Sequence, residues 1–249
     1  MVTDGAVNRQ ISGFVERMSR ESGENLVSVV LYGSATTGNF VEKRSDVNLL
    51  CVFNRLGEPE LNAVSRVVQW WAQELQMRPP MVLTLEELQE SADVFAIETL
   101  DIKSQNKLLF GRDVLSTLDV PMNLHRVQVE HELRILVLRL RQHLLLAHGK
   151  RDDLEKALAR SASSATTLLR HALIVVEGRS TAGGRQVLPR ATEVLGVNLS
   201  TINAVLDLHD GKRVQSDLEE TYRDYIDLLQ TVVEKVDQAL PKKQIQKVG

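Results

Sequence analysis

Hydrophobic residues follow one pattern in the first half of the chain and another in the second half. The first half contains short, continuous apolar runs bounded by Gly, Ser or Pro, and such runs are typical of strands that are buried on both faces. Between these runs, apolar residues recur at three- and four-residue spacing, which indicates amphipathic helices. The predicted strands are 26–32, 46–53, 81–84, 96–102 and 107–110, and the predicted helices are 7–22, 59–77 and 86–89.

From residue 124 onward the apolar spacing is helical throughout, and no further strand is predicted. Five helices with short connections favour an antiparallel bundle; they span 124–148, 152–177, 187–195, 200–208 and 216–240. The pattern therefore predicts an α+β chain. We expect residues 1–120 to form a mixed sheet with helices, residues 121–241 an all-α helical bundle, and residues 242–249 a tail.

Composition mainly excludes classes of function. The 249 residues carry a net charge of −3, so the overall charge does not indicate extended nucleic-acid binding. Cys51 is the single cysteine, which excludes an internal disulfide and a multi-cysteine zinc site. The first ten residues lack the apolar core of a signal peptide, and arginines interrupt the most apolar region, 133–147. We therefore expect a cytoplasmic protein with no membrane segment.

Candidate chemistry lies where the first predicted strand ends. Gly33 and Ser34 follow that strand directly, and a tight turn with a hydroxyl and outward backbone N–H groups can bind an anion. Asp46 and Asn48 lie at the start of the next predicted strand. Because residues two apart in a strand point to the same face, their side chains should project together toward the Gly33–Ser34 turn.

This pattern resembles the core motif of the nucleotidyltransferase (polymerase-beta-like) superfamily, in which a Gly-Ser turn precedes two acidic residues, one apart, on the next strand. With a helical second half, the chain resembles bacterial aminoglycoside nucleotidyltransferase-like proteins. The resemblance implies Mg²⁺-dependent transfer of a nucleoside monophosphate from an NTP to a hydroxyl acceptor. It places Gly33 and Ser34 at the nucleotide phosphates, Asp46 as the catalytic carboxylate and metal ligand, and Asn48 as an auxiliary metal ligand.

The carboxylate set of this motif is degenerate. Asn48 stands where the family has its second acid, and an uncharged amide oxygen binds Mg²⁺ more weakly than a carboxylate. The resemblance puts a third acid near residues 81–84, where the chain has none; Glu98 and Asp101, on the next predicted strand, are the nearest candidates. The alternative is therefore a catalytically silent relative that binds nucleotide or a partner protein.

Two further hypotheses concern the helical half. Arg141 and His148, with six residues between them, resemble the Arg–His pattern of helical ribonuclease toxins, which gives a distant alternative function; a solvated helix end explains the same residues. An apolar face left over on the bundle would also suit a homodimer.

Overall fold

The computed structural model describes residues 5–36, 47–147, 149–178, 183–214 and 217–239. Contacts between residues divide the chain into two compact units, Met1–Pro121 and Met122–Gly249.

The first unit is built on a four-stranded mixed sheet. Its strands are β1 Leu26–Tyr32, β2 Asn48–Phe53, β3 Met81–Thr84 and β4 Asn106–Gly111. They lie in the order β3-β2-β1-β4. β1 is antiparallel to both β2 and β4, while β2 is parallel to β3. The mixed sheet confirms the α+β prediction for this half of the chain.

β1 and β2 are central in the sheet and are buried on both faces, as their continuous apolar runs predict. Four helices belong to this unit: α1 Gly5–Ser22, α2 Glu58–Gln69, α3 Leu85–Glu90 and α4 Ala96–Ser104. One face of the sheet packs with buried residues of α1 and α2, through Leu49 and Cys51 among others. The other face, which includes Leu50, packs with Leu88 of α3 and Ile102 of α4. Because successive side chains of a strand point to opposite faces of the sheet, each strand contributes to both cores.

The helix predicted over 59–77 is shorter in the structure. α2 ends at Gln69 and continues as one π-helical turn, Trp70–Glu74. Trp71 is fully buried and its indole N–H donates to the carbonyl of Arg78 at 2.9 Å. This bond holds the chain as it turns toward β3.

The predicted strand 96–102 is wrong, because these residues form the helix α4. Its buried residues are Ala96, Ile97, Thr99 and Ile102. Apolar positions at three- and four-residue spacing suit a helix, and the weak alternation in this segment is not the two-residue period of a strand. Glu98 and Asp101 therefore lie on a helix and not on a strand.

The second unit is helical over its described residues. Its helices are α5 Met122–Ala147, α6 Arg151–Glu177, α7 Leu188–Leu195, α8 Leu199–His209 and α9 Leu218–Gln238. α6 and α7 end at Gly178 and Gly196, whose φ values of 73° and 71° are left-handed and suit glycine. No described helix is long and apolar enough to cross a membrane.

Candidate functional site

The turn after β1 has a tightly fixed backbone. Gly33 has a φ of 80°, in the left-handed region that glycine adopts without strain. It begins a short 3-10 helix, Gly33–Thr36. The Thr36 hydroxyl donates to the carbonyl oxygen of Gly33 at 2.7 Å, and Ala35 is buried. The turn is therefore closed by an internal hydrogen bond and packs inward through Ala35.

Asn48 lies directly beside this turn. It is the cross-strand partner of Tyr32, the residue before Gly33, in the antiparallel pair of β1 and β2. A Cβ atom built on Gly33 would lie 3.3 Å from Asn48 Nδ2. The structure thus brings Gly33 and Asn48 together, as the sequence predicts from their places at adjacent strand ends.

The backbone N–H of Gly33 is already used. It donates to the carbonyl oxygen of Gln105, just after α4, at 2.9 Å. The sequence suggests that this N–H faces outward toward an anion, but here it joins the turn to the end of α4. Phosphate binding at this turn would depend on the later amides and on hydroxyl groups.

Sequence reasoning missed Tyr32, the residue before the turn, and Arg78, whose charge acts on Tyr32. Burial raises the pKa of the half-buried Tyr32 phenol, and the positive charge of Arg78 partly opposes that rise. Tyr32 pairs with Asn48 on one side and with Asn106 of β4 on the other, so the three side chains share one face. Tyr32 could have been found from its place before Gly33, whereas no sequence signal marks Arg78.

The candidates for a third acid lie on the helix α4 and not on a strand. β3 contains no acidic residue. Glu98 is exposed on α4, and Asp101 is half-buried one helical turn before Gln105. The Asp101 carbonyl oxygen accepts the backbone N–H of Gln105 at 3.1 Å, and the Gln105 carbonyl oxygen accepts the N–H of Gly33, so two backbone hydrogen bonds link Asp101 to the turn.

For two of the predicted site residues, the structure describes no side chain. Asp46 lies outside the described residues, as does the side chain of Ser34. Within the described part of the chain, no group of three His, Cys, Asp or Glu side chains could hold a metal ion. The roles of Asp46 and Ser34 remain predictions.

In the second unit, Arg141 lies on α5 beside a groove of about 280 Å³ between α5 and α9. His148, its partner in the ribonuclease hypothesis, lies outside the described residues. That hypothesis also remains a prediction.

Comparisons with known proteins give matches among solved structures. The sequence matches no protein-family model and no curated protein. It is similar in structure to the spectinomycin adenyltransferase AAD(9) from Enterococcus faecialis, solved with ATP and spectinomycin. The two chains are 14% identical, the match covers 93% of this chain and 99% of that one, and the TM-score is 0.54.

Two toxin–antitoxin structures match a smaller part of the chain. One was solved with AMP-PNP and is 19% identical, with a TM-score of 0.29. The other is a mutant of the MntA–HpeT pair, 17% identical, with a TM-score of 0.27. Both matches cover 41% of this chain and 73% of the other, and they are too loose to support an argument.

The likeness to the adenyltransferase extends over nearly the whole of both chains, and at this identity it shows the fold. The chain has the nucleotidyltransferase fold, with a mixed N-terminal sheet followed by a helical region, as the resemblance of its motif to the aminoglycoside nucleotidyltransferase-like proteins predicts.

Proposed function

We propose that this chain binds a nucleoside triphosphate at the Gly33–Ser34 turn and has little capacity for nucleotidyl transfer. The phosphates would lie against the turn, beside Asn48 at the start of β2 and Asp46, which precedes Asn48 by two residues in the sequence. One observation carries the proposal: Asn48 lies against Gly33, where the family motif has its second carboxylate. The fold, shared with an adenyltransferase solved with ATP, supports nucleotide as the ligand class.

The transfer reaction implied by the motif sets what the residues would have to do. The oxygen of a hydroxyl acceptor bonds to the α-phosphorus of the NTP, and the bond to the departing pyrophosphate breaks. The acceptor proton passes to a base. Mg²⁺, when bound, neutralises charge on the transferring phosphoryl group. In this chain Asp46 would be its main ligand and Asn48 an auxiliary one.

The described residues fit such a metal site poorly. An amide oxygen carries no charge and is a weaker ligand for a hard cation than a carboxylate. β3 offers no acid, and the candidates Glu98 and Asp101 lie on α4. A site that holds nucleotide with little turnover, as a sensor or a scaffold would, is therefore better supported than an efficient enzyme.

A working transferase is the second candidate, since Asp46 and Ser34 of the motif are present in the sequence. Calorimetric titration with ATP, GTP, CTP and UTP, with and without Mg²⁺, tests both candidates. The informative variant is Asn48→Asp, which restores the second carboxylate. Asn106→Asp is its matched control, because Asn106 pairs with Tyr32 from the opposite strand and gains the same charge.

We expect the wild type to bind at least one NTP and to gain little affinity from Mg²⁺. Asn48→Asp should make binding depend strongly on Mg²⁺, and Asn106→Asp should not. Release of pyrophosphate by the wild type in the presence of small hydroxyl compounds would favour the transferase. If neither the wild type nor Asn48→Asp binds any NTP, nucleotide is not the ligand.

A further inference from the structure

Three strands of the sheet present residues at one edge, beside the turn that follows β1. β1 ends at this edge with Tyr32, and β2 begins there with Asn48, which pairs with Tyr32 across the two strands. β3 runs parallel to β2 and starts at Met81, level with Leu50, the third residue of β2. Arg78 precedes Met81 by three residues, so it lies at this edge as well.

An anion at this turn needs donors that the turn does not provide in full. Backbone N–H groups and charged side chains are the groups that bind phosphate in proteins. The Gly33 N–H already donates to the Gln105 carbonyl, and the Thr36 hydroxyl donates to the Gly33 carbonyl. Neighbouring side chains would therefore have to supply further donors and the positive charge.

Asn48 presents an N–H donor to the turn. Its Nδ2 atom would lie 3.3 Å from a Cβ atom built on Gly33, so the amide nitrogen faces the turn and the amide oxygen is farther away. A carboxylate in this place accepts a metal ion and repels a phosphate, whereas an amide N–H group donates to a phosphate oxygen. Asn48 thus suits direct contact with an anion better than contact with a cation.

Arg78 is held in place through its backbone. Its carbonyl oxygen accepts the indole N–H of the fully buried Trp71 at 2.9 Å, while Arg78 itself is exposed. Neighbouring strands lie about 4.8 Å apart, so the single strand between β1 and β3 puts the start of β3 about 10 Å from the end of β1. An extended arginine side chain covers much of that distance.

The charge of Arg78 acts at the end of β1. It lowers the pKa of the Tyr32 phenol against the effect of burial, and Tyr32 is the residue directly before Gly33. A guanidinium stays charged at physiological pH and can bind two phosphate oxygens at once. Arg78 can therefore supply positive charge at the edge where the phosphates of a nucleotide would lie.

We propose that Arg78 and Asn48 bind the phosphate chain of the nucleotide directly, and that this contact takes the place of a metal ion. This role depends on the proposed nucleotide site and makes its ligand a metal-free nucleotide. The Asn48 amide donates to the phosphate against the turn, and the Arg78 guanidinium neutralises part of the phosphate charge. Mg²⁺ competes with Arg78 for the same phosphate oxygens, so it should weaken binding, whereas in a site with two carboxylates it strengthens binding.

Calorimetric titration with ATP, in chelator and in Mg²⁺, tests the role of Arg78. We expect the wild type to bind ATP more tightly in chelator than in Mg²⁺. Arg78→Gln should raise the dissociation constant in chelator by about tenfold or more, because it removes a charged hydrogen-bond donor. Arg78→Lys should lose less affinity, since it keeps the charge and loses only the planar group that binds two oxygens.

Arg112→Gln is the matched control. Arg112 is exposed like Arg78, and the variant loses the same charge. It lies at the opposite edge of the sheet, where its N–H donates to the Val27 carbonyl near the start of β1. This variant should bind ATP as the wild type does, and circular dichroism should show that all variants fold.

Asn48→Asp tests the amide donor. In chelator it should weaken ATP binding by about tenfold or more, because a carboxylate has no N–H to donate and repels the phosphates. Mg²⁺ should restore binding in this variant. The effect of Mg²⁺ on affinity therefore changes sign between the wild type and Asn48→Asp.

Different results would contradict the phosphate contact and the nucleotide site itself. ATP binding in chelator that Arg78→Gln and Asn48→Asp both leave unchanged would overturn the contact and retain the nucleotide site. Binding of ATP by the wild type only with Mg²⁺ would also overturn the contact, and it would favour a working transferase.

If the wild type binds no NTP, titration with inorganic tripolyphosphate decides the matter. Tripolyphosphate binding that Arg78→Gln abolishes would support the phosphate contact and overturn only the nucleoside part of the ligand. Absence of binding would overturn both proposals.

Discussion

Three glycines of the first unit share a left-handed backbone but differ in the space beside them. Gly23, Gly33 and Gly111 have φ values of 54°, 80° and 76°. A Cβ atom at Gly23 would meet nothing within 4 Å, and at Gly33 it would lie 3.3 Å from the side-chain nitrogen of Asn48. At Gly111 it would overlap the carbonyl oxygen of Val27 and lie 2.9 Å from the carbonyl carbon. Substituting alanine at each position therefore separates steric from conformational effects.

The expected losses follow from these contacts. A left-handed alanine costs about 1–2 kcal/mol, offset by about 0.4–1 kcal/mol because alanine restricts the unfolded chain. Gly23→Ala should thus lower the free energy of unfolding by about 1 kcal/mol. Gly33→Ala should cost about 1–2 kcal/mol, because the Asn48 side chain can move slightly.

Gly111→Ala is expected to be the most damaging of the three. The overlap is with backbone atoms, so β4 must move away from β1. The hydrogen bond from the Arg112 N–H to the Val27 carbonyl, 3.2 Å long, would then be lost. One or two lost hydrogen bonds at about 1 kcal/mol each, added to the net conformational cost of about 1 kcal/mol, give a total of about 2–3 kcal/mol.

Urea unfolding followed by tryptophan fluorescence measures these differences. The chain has two tryptophans, Trp70 and Trp71, and both lie in the same unit as the three glycines, so the signal reports on that unit. If Gly111→Ala loses no more stability than Gly23→Ala, the steric reasoning and the close approach of β4 to β1 are wrong.

Three further predictions concern buried or half-buried groups. Burial raises the pKa of the Cys51 thiol to about 12, so a thiol reagent should react with Cys51 only after unfolding, and rapid reaction of the folded protein would contradict this. The contribution of Cys51 to the free energy of unfolding should be full below about pH 8.5 and should fall as the pH rises toward 12. His171 Nδ1 lies 2.8 Å from His125 Nε2, and both rings are buried. His171→Ala should therefore lower the free energy of unfolding by about 2–4 kcal/mol, measured by urea denaturation followed by circular dichroism. A loss below about 1 kcal/mol would argue against the hydrogen bond between the two rings. Because the charge of Arg78 opposes the rise in the pKa of Tyr32, Arg78→Ala should raise the pKa of the Tyr32 phenol further, as measured by ultraviolet absorbance. An unchanged pKa would mean that the Arg78 charge does not act on Tyr32.

The central strands could be predicted from the sequence because both their faces are buried. Residues 26–32 and 48–53 read as continuous apolar runs, since one face of each strand serves the core with α1 and α2 and the other serves the core with α3 and α4. The proximity of Gly33 and Asn48 also followed from the motif, because β1 ends where its antiparallel neighbour β2 begins.

Other features depend on contacts between residues distant in sequence. The helix α4 is predicted as a strand because the segment 96–102 is only seven residues long, too short for its helical spacing to stand out from a weak alternation. The bond between the Gly33 N–H and the Gln105 carbonyl joins residues far apart in the chain, and no local pattern marks it. The helix predicted over 200–208 begins at Leu199 in the structure, because Asn198 is its N-cap and the Asn198 side chain accepts the N–H of Ser200.

Charge around the turn changes in one direction at three places. Relative to the motif that the sequence resembles, Asn48 is a neutral amide in the place of a carboxylate and β3 adds no acid, while Arg78 contributes a positive charge that acts on Tyr32. Each difference makes a divalent cation less favourable and an anion more favourable at this edge of the sheet. A nucleotide bound here should therefore lose less affinity when Mg²⁺ is chelated than in a site with all its carboxylates. Binding that disappears in chelator would instead mean that Asp46 alone still holds a working metal ion.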